Sequence, residues 1–165
     1  MKTLTLSFII ASLVGCFGSE PQNTSLKGKP LPPFKLLLTD SITLLSNADL
    51  PSNKSIVFFY LSPFCPYCKA QTKEIIEDLE NLKNIQFYFI TNFPLNSFKP
   101  YCKDYQLERY PNIIAAMDTA NTIADYFEIT NVPFIAVFKK NKTLHNTYVG
   151  KIYSGQLKKI AEQSE

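Results

Sequence analysis

The sequence has 165 residues, enough for one domain with its own hydrophobic core and no need of stabilising disulfides. Its 17 basic residues against 14 acidic ones give a modest formal net charge of +3, which indicates no particular nucleic-acid or acidic partner, and no nucleic acid is predicted to bind.

The N-terminus has the pattern of a signal peptide over residues 1–15. One lysine, Lys2, precedes an apolar run from Leu4 to Val14 that is too short to span a bilayer. The end of this run, Leu13-Val14-Gly15-Cys16, resembles the lipobox of bacterial lipoproteins, whose cysteine is lipidated and becomes the new N-terminus. The resemblance implies a lipid on Cys16 and a lipoprotein anchored in the bacterial cell envelope, facing the periplasm or the outer surface. Secretion without an anchor is the alternative.

Residues 16–33 are predicted to be a flexible tether, because Gly18 to Pro33 is polar, rich in proline, glycine and serine, and without periodicity. The folded domain is predicted at residues 34–165. Strands are predicted at Phe34 to Leu38, Ile42 to Leu45, Ile56 to Leu61, Ile85 to Ile90, Asn112 to Met117, Phe134 to Phe138 and Thr143 to Val149. Helices are predicted from Cys65 to about Leu82, within Asn96 to Tyr105, at about Ala120 to Phe127, and at Ser154 to Glu162. This alternation indicates an α/β domain with a mixed sheet covered by helices on both sides.

Two cysteines stand where the apolar strand Ile56 to Leu61 turns into a helix. Cys65 is predicted at the helix start, where free N–H groups and the positive end of the helix dipole favour a thiolate, so it is the candidate nucleophile. Cys68 lies nearly one turn further, facing inward within disulfide reach, and is the candidate resolving cysteine. Pro66 suits the first helical turn because it lacks an N–H. Such a pair can alternate between dithiol and disulfide.

Other uses of the cysteine pair fit the sequence less well. A structural zinc site needs a second ligand pair, and only Cys16, Cys102 and His145 remain, so no metal or other cofactor is predicted. A disulfide across two intervening residues removes little entropy from the unfolded chain and would stabilise the fold weakly. Redox chemistry is therefore favoured.

The order of strand, Cys-X-X-Cys, helix, Val132-Pro133-Phe134, strand, hairpin, glycine and helix resembles the thioredoxin fold over about Phe34 to Glu162. The resemblance implies a cis peptide bond before Pro133 and a substrate chain that docks on the backbone of Val132. Phe64, Pro66 and Tyr67, which flank the cysteines, are assigned to the same substrate-binding surface.

The 65 positions between Cys68 and Pro133 allow an extra helix and strand, at Phe93 to Met117, before the proline. This insert resembles the layout of the TlpA/ResA-like thiol-disulfide reductases and their redoxin relatives. Two departures stand out: Phe64 replaces the usual tryptophan, and Ile56 to Leu61 lacks the buried carboxylate that often accepts the proton of the second cysteine. Deprotonation of Cys68 is then left to water or Lys69, and slow exchange is expected.

The predicted function is thiol-disulfide exchange, in the direction of a reductase, on disulfides of cell-envelope proteins. An upstream thiol electron donor would re-reduce a monomeric protein. A glutaredoxin-like activity is an alternative because Cys-Pro-Tyr-Cys is the glutaredoxin motif, but residues 138–142 lack the expected Gly-Gly pair. A peroxiredoxin-like activity is another alternative, but the threonine that peroxiredoxins use to bind peroxide a few residues before the cysteine is missing before Cys65. A third alternative is a non-catalytic binding module with an aromatic insert, in which Cys102 is a free thiol or a second redox partner.

Overall fold

The structure is a computed structural model that describes residues 21–22 and 24–163. The predicted signal peptide and Cys16 lie outside the described residues. The strands are β1 Pro21–Gln22, β2 Lys35–Leu38, β3 Leu44–Ser46, β4 Ser55–Tyr60, β5 Ile85–Thr91, β6 Ile113–Met117, β7 Phe134–Phe138 and β8 Leu144–Val149. The α-helices are α1 Pro66–Glu77, α2 Leu95–Asp104, α3 Thr122–Tyr126 and α4 Ser154–Glu162, with short 3₁₀ helices at Asn47–Asp49 and Leu107–Arg109.

The strands form one mixed sheet in the order β1-β8-β7-β4-β5-β6-β2-β3. The central strand β4 runs parallel to β5 and antiparallel to β7, and all six of its residues are buried. Its continuous apolar run suits this position, because both faces of the strand are covered. The described part of the chain therefore has the thioredoxin-like α/β fold expected from the sequence, including the extra helix α2 and strand β6 before Pro133.

Two apolar cores lie on opposite faces of the sheet. One core holds buried residues of α1, α2 and α4, such as Ile75, Phe98 and Leu157, against the sheet. The other lies under α3 and the N-terminal residues up to Leu50. Phe58 in β4 belongs to the second core and packs edge-on against three other rings. Since neighbouring residues of β4 point to opposite faces, the strand joins both cores and provides a rigid base for the cysteines that follow it.

Helix α1 ends at Glu77, five residues earlier than predicted. Leu79 and Leu82 continue the apolar spacing of the helix, but their N–H groups bond to the carbonyls of Ile76 and Leu79, three residues back. Leu82 is still buried. The same apolar residues thus fill the core from tight turns that lead the chain into β5.

The tether predicted at residues 16–33 differs from the structure in its described part. Strand β1 pairs with β8, and the N–H of Gly28 donates to the carbonyl of Leu144 at 2.8 Å. Leu31 is 7% exposed and packs in the second core. This segment is ordered because it covers the outer edge of β8 and buries Leu31, so the folded domain begins before residue 34. Within the described residues, no helix is long and apolar enough to cross a membrane.

Candidate active site

Cys65 is the N-cap residue of α1. Its backbone is extended (φ −73°, ψ 122°), and its Sγ accepts a hydrogen bond from the backbone N–H of Cys68 at 3.4 Å. Pro66 follows at the first helical position, where a missing N–H costs no helical hydrogen bond. The sulfur of Cys65 therefore satisfies a free donor at the positive end of the helix, an arrangement that stabilises negative charge.

Cys68 has a very different environment, since its side chain is fully buried. Burial raises the pKa of the Cys68 thiol to about 12, against the lowering effect of a hydrogen bond from the Ser62 backbone, and the Cys65 side chain raises it further. Cys65 is partly exposed, and both cysteines are free thiols in this structure. The pair thus combines a sulfur that a substrate can reach with one that stays protonated beneath it.

The segment around Pro133 lies directly against the first cysteine. The Val132–Pro133 peptide bond is cis, as the resemblance implied. The Sγ of Cys65 lies 3.7 Å from the carbonyl oxygen of Val132, and the carbonyl of Pro133 accepts a hydrogen bond from Gly150 at 2.8 Å. Three chain segments therefore meet here: the start of α1, the Val132–Pro133 loop and the residues after β8.

Two side chains of α1 form hydrogen bonds with the residues after β8. The sequence analysis gave neither of them a role. The buried side chain of Gln71 donates to the carbonyl of Ile152 at 3.0 Å and accepts from its N–H at 2.6 Å. Glu74 accepts from Lys151 at 2.7 Å and from the N–H of Ser154 at 3.1 Å. Burial acts to raise the pKa of Glu74, but these hydrogen bonds and the charge of Lys151 lower it below its ordinary value.

Three large aromatic rings are exposed, two of them beside the cysteines in the sequence and one on the loop after β8. Phe64 and Tyr67, both predicted as substrate-binding, are 64% and 68% exposed, and Tyr153, which the sequence analysis did not single out, is 52% exposed. Pro66 is also exposed, whereas Val132 is half-buried. The ring of Phe64 packs edge-on against Phe93 at 5.5 Å, so the insert touches the residue next to the nucleophile. Large exposed rings near a reactive group are typical of a protein interaction surface.

A groove of about 240 Å³ separates the cysteine loop from α2. One wall is formed by Pro63, Phe64 and Lys69. The other is formed by residues of the insert helix, namely Ser97, Pro100, Tyr101, Asp104 and Tyr105. Lys69 is exposed and lies in this groove, while the groups that act on the Cys68 thiol are Ser62 and Cys65.

Cys102 lies in a different place from the cysteine pair. It lines a separate cavity of about 220 Å³ together with Leu38, Leu107 and Ile113. Burial raises the pKa of its thiol to about 12, against a weaker lowering by its own backbone. A protonated thiol in apolar surroundings is a poor redox partner, so this environment favours the free-thiol interpretation. In the ranges 21–22 and 24–163, no cluster of three or more His, Cys, Asp and Glu residues could hold a metal ion.

The fold and this site define a class. A Cys-X-X-Cys pair at the start of a helix, placed after the central strand and facing a cis-proline, defines a thioredoxin-like redox protein. Within that class the chain belongs to the Redoxin family, which matches residues 26–162. The matched range includes the cysteine pair, the insert and Pro133, and also residues 26–33 of the segment predicted as a tether. No curated protein sequence matches the chain significantly.

Solved structures support the same class. A proposed thioredoxin from Neisseria meningitidis is 26% identical, with a TM-score of 0.67, over 81% of this chain and 87% of that one. A thiol:disulfide interchange protein of the thioredoxin family from Chlorobium tepidum is 20% identical, with a TM-score of 0.69, over 86% and 99% of the two chains. A secreted disulfide oxidoreductase of Mycobacterium tuberculosis, homologous to E. coli DsbE, is 15% identical, with a TM-score of 0.64, over 79% and 95%. The last two likenesses concern the fold alone.

Proposed function

We propose that this protein is a thiol-disulfide oxidoreductase that reduces disulfides of cell-envelope proteins through Cys65 and Cys68. The observation that supports this most directly is the contrast between the two thiols. Cys65 is partly exposed at a helix N-terminus, 3.7 Å from the Val132 carbonyl, whereas Cys68 is fully buried. A nucleophile needs access and a stabilised thiolate, and a resolving cysteine needs protection from other reagents.

The reaction begins when the Cys65 thiolate attacks one sulfur of a substrate disulfide. A bond forms between Cys65 and that sulfur, and the other substrate sulfur leaves as a thiolate and takes up a proton. Cys68 then loses its proton and attacks Cys65, so that the Cys65–Cys68 disulfide forms and the second substrate thiol is released. Two electrons have passed from the protein to the substrate. A dithiol donor outside this chain restores the reduced state.

In this proposal the substrate segment lies in extended form along Val132, and Phe64, Pro66 and Tyr67 contact the residues around its cysteine. The exposure of Phe64 and Tyr67 supports this placement. A lipid on Cys16 would hold the protein, as a monomer, at the bacterial envelope, where disulfides form and persist. The lipobox-like sequence supports this location.

The experiment that tests the proposal is a redox equilibrium of the purified protein against mixtures of reduced and oxidised glutathione. We expect a reversible two-electron couple that disappears in Cys65→Ser and persists in Cys102→Ser. The Cys68→Ser variant should accumulate a mixed disulfide with a disulfide-containing substrate, because resolution is blocked. A couple below the redox poise of the envelope supports a reductase, and one above it supports an oxidase. Absence of any reversible couple would refute the enzymatic function.

A further inference from the structure

The insert reaches beneath the cysteine pair through one buried side chain of α2. Tyr101 is 3% exposed, and its hydroxyl forms a hydrogen bond with the hydroxyl of Thr72, which is fully buried on α1. The Tyr101 hydroxyl also lies 3.5 Å from the backbone carbonyl oxygen of Cys68. A residue of the insert therefore contacts the helical turn that carries the buried cysteine.

The surroundings of this hydroxyl pair are apolar. The Tyr101 ring packs against Phe98 at 6.0 Å and Tyr105 at 4.8 Å, in the core that also contains Cys68. Buried hydroxyls in such a place need a partner, because an unpaired one keeps the full cost of its desolvation. The bond between Tyr101 and Thr72 therefore fixes the relative position of α1 and α2 more specifically than contact between apolar groups does.

The position of Thr72 on α1 makes this bond relevant to the chemistry. Thr72 is four residues after Cys68, so both lie on one face of the helix, and the backbone of Cys68 is within the turn that Thr72 closes. A displaced turn would move the Cys68 sulfur relative to Cys65. Attack by Cys65 on a substrate does not require the sulfur of Cys68, but resolution requires a defined approach of one sulfur to the other.

We propose that Tyr101 and Thr72 are positioning residues that hold Cys68 for its attack on Cys65, so that the insert helix controls the resolving half of the exchange. This inference rests on the proposed function. Neither hydroxyl takes part in the exchange: the Cys68 thiol gives its proton to solvent, its sulfur bonds to Cys65, and the substrate sulfur leaves with the electron pair of the broken bond and is protonated.

The test uses 5,5′-dithiobis-(2-nitrobenzoate), a small aromatic disulfide, as the probe. Its attack by Cys65 releases one coloured thiolate and leaves a mixed disulfide, and resolution by Cys68 releases the second, so the two steps are recorded separately. Cys16→Ser and Cys102→Ser remove other thiols from the background. In this background Tyr101→Phe and Thr72→Val each delete one hydroxyl at nearly constant volume, and Thr72→Ser keeps it. Tyr105→Phe is the matched control, because the Tyr105 ring packs against the Tyr101 ring at a tilt of 53° from a partly exposed position.

We expect Tyr101→Phe and Thr72→Val each to slow the second release by about fivefold or more, with the first release within about twofold of the unsubstituted protein. The double variant should be no slower than either single one, since both remove the same bond. Thr72→Ser and Tyr105→Phe should keep the second release within about twofold. Thr72→Ser thereby shows whether the hydroxyl, and not the threonine shape, is responsible.

Three results would overturn the inference. They are an unchanged second release in both hydroxyl-deleted variants, an equal slowing of both releases, which indicates general loosening of the fold, and an equal loss in Thr72→Ser. If the unsubstituted background gives a first release but no second, the proposed function itself fails, and this inference fails with it.

Discussion

The two sides of α1 are held to the rest of the molecule in different ways. On the side of the residues after β8, Gln71 bonds to both backbone groups of Ile152, and Glu74 bonds to Lys151 and the Ser154 backbone. On the side of the insert, the Tyr101 hydroxyl bonds to the hydroxyl of Thr72 and lies 3.5 Å from the backbone carbonyl oxygen of Cys68. Backbone groups are present whatever the partner's side chain, whereas the hydroxyl pair depends on two specific residues.

This difference suggests that the two sides of α1 have different roles around the dithiol. The side with backbone partners joins α1 to the Pro133 loop through Gly150 and so maintains the common frame of the fold. The side with a side-chain pair joins α1 to an element that a minimal thioredoxin lacks. We therefore expect substitutions on the first side to affect mainly stability, and those on the second to affect mainly the exchange reaction.

The largest effect is expected for Gln71→Leu, which removes both hydrogen bonds between Gln71 and the backbone of Ile152. The substitution leaves the N–H and carbonyl of Ile152 without the Gln71 partner in a buried place, and we expect a loss of about 3 kcal/mol in the free energy of unfolding. Urea denaturation at neutral pH measures it. Lys73→Leu, at an exposed neighbouring position, serves as the control and should change stability by less than about 0.5 kcal/mol. Equal losses in the two variants would contradict the assignment.

A second prediction concerns Cys68, which lies between the two sides. Its pKa is raised to about 12, mainly by burial, so the thiolate fraction should grow tenfold per pH unit well below that value. The second release in the two-step assay should therefore accelerate by about a hundredfold from pH 6 to pH 8, without a plateau. Stopped-flow absorbance at several pH values measures the slope. A plateau within this range would show that Cys68 is already ionised there.

The fold and the cysteine pair could be predicted because their signals are local. The apolar strand, Cys65-Pro66-Tyr67-Cys68 and the Val132-Pro133 pair each occupy a few consecutive residues. The hydrogen bonds that hold α1 in place could not be predicted, because their partners are distant in sequence. Gln71 and Ile152 are 81 positions apart, and Thr72 and Tyr101 are 29 positions apart. A buried glutamine or threonine has no special spacing, so nothing in the pattern of the helix indicates what it bonds to.

The errors at element boundaries have the same origin. Leu79 and Leu82 keep a helical spacing although the helix has ended, because the core needs apolar residues from either backbone geometry. The segment before residue 34 has the composition of a linker, yet its described residues pair with β8 and the turn before it, because the edge of that strand supplies hydrogen-bond partners. The composition of a segment indicates its conformation in isolation. It does not indicate whether the segment pairs with a strand that is distant in sequence.

A smaller effect is expected for Glu74→Gln. This variant weakens the contacts between α1 and the residues after β8 but keeps the hydrogen bonds of Gln71. The pKa of Glu74 is lowered in the folded protein, so its contribution is present above its unfolded value of about 4.5 and is lost as the pH falls through the folded value. We expect a loss of about 1 kcal/mol at pH 7 that shrinks as the pH is lowered through the folded pKa of Glu74. Denaturation at pH 7 and at a series of lower pH values measures this difference. Glu77→Gln, at an exposed position of the same helix, should show no such pH dependence.

The smallest effect is expected for Tyr153→Ser, which tests whether the loop after β8 also contributes to substrate binding. The amine of Lys151 lies 4.3 Å from the centre of the Tyr153 ring, so the loop presents this half-exposed ring in a fixed position beside α1. We expect KM for a disulfide-containing protein substrate to rise about threefold, while both releases from the small aromatic disulfide stay unchanged. Ile42→Ser removes an exposed apolar side chain in the turn between β2 and β3 and should leave both assays unchanged. If Tyr153→Ser slows the small disulfide as well, the ring acts through the dithiol and not through the substrate.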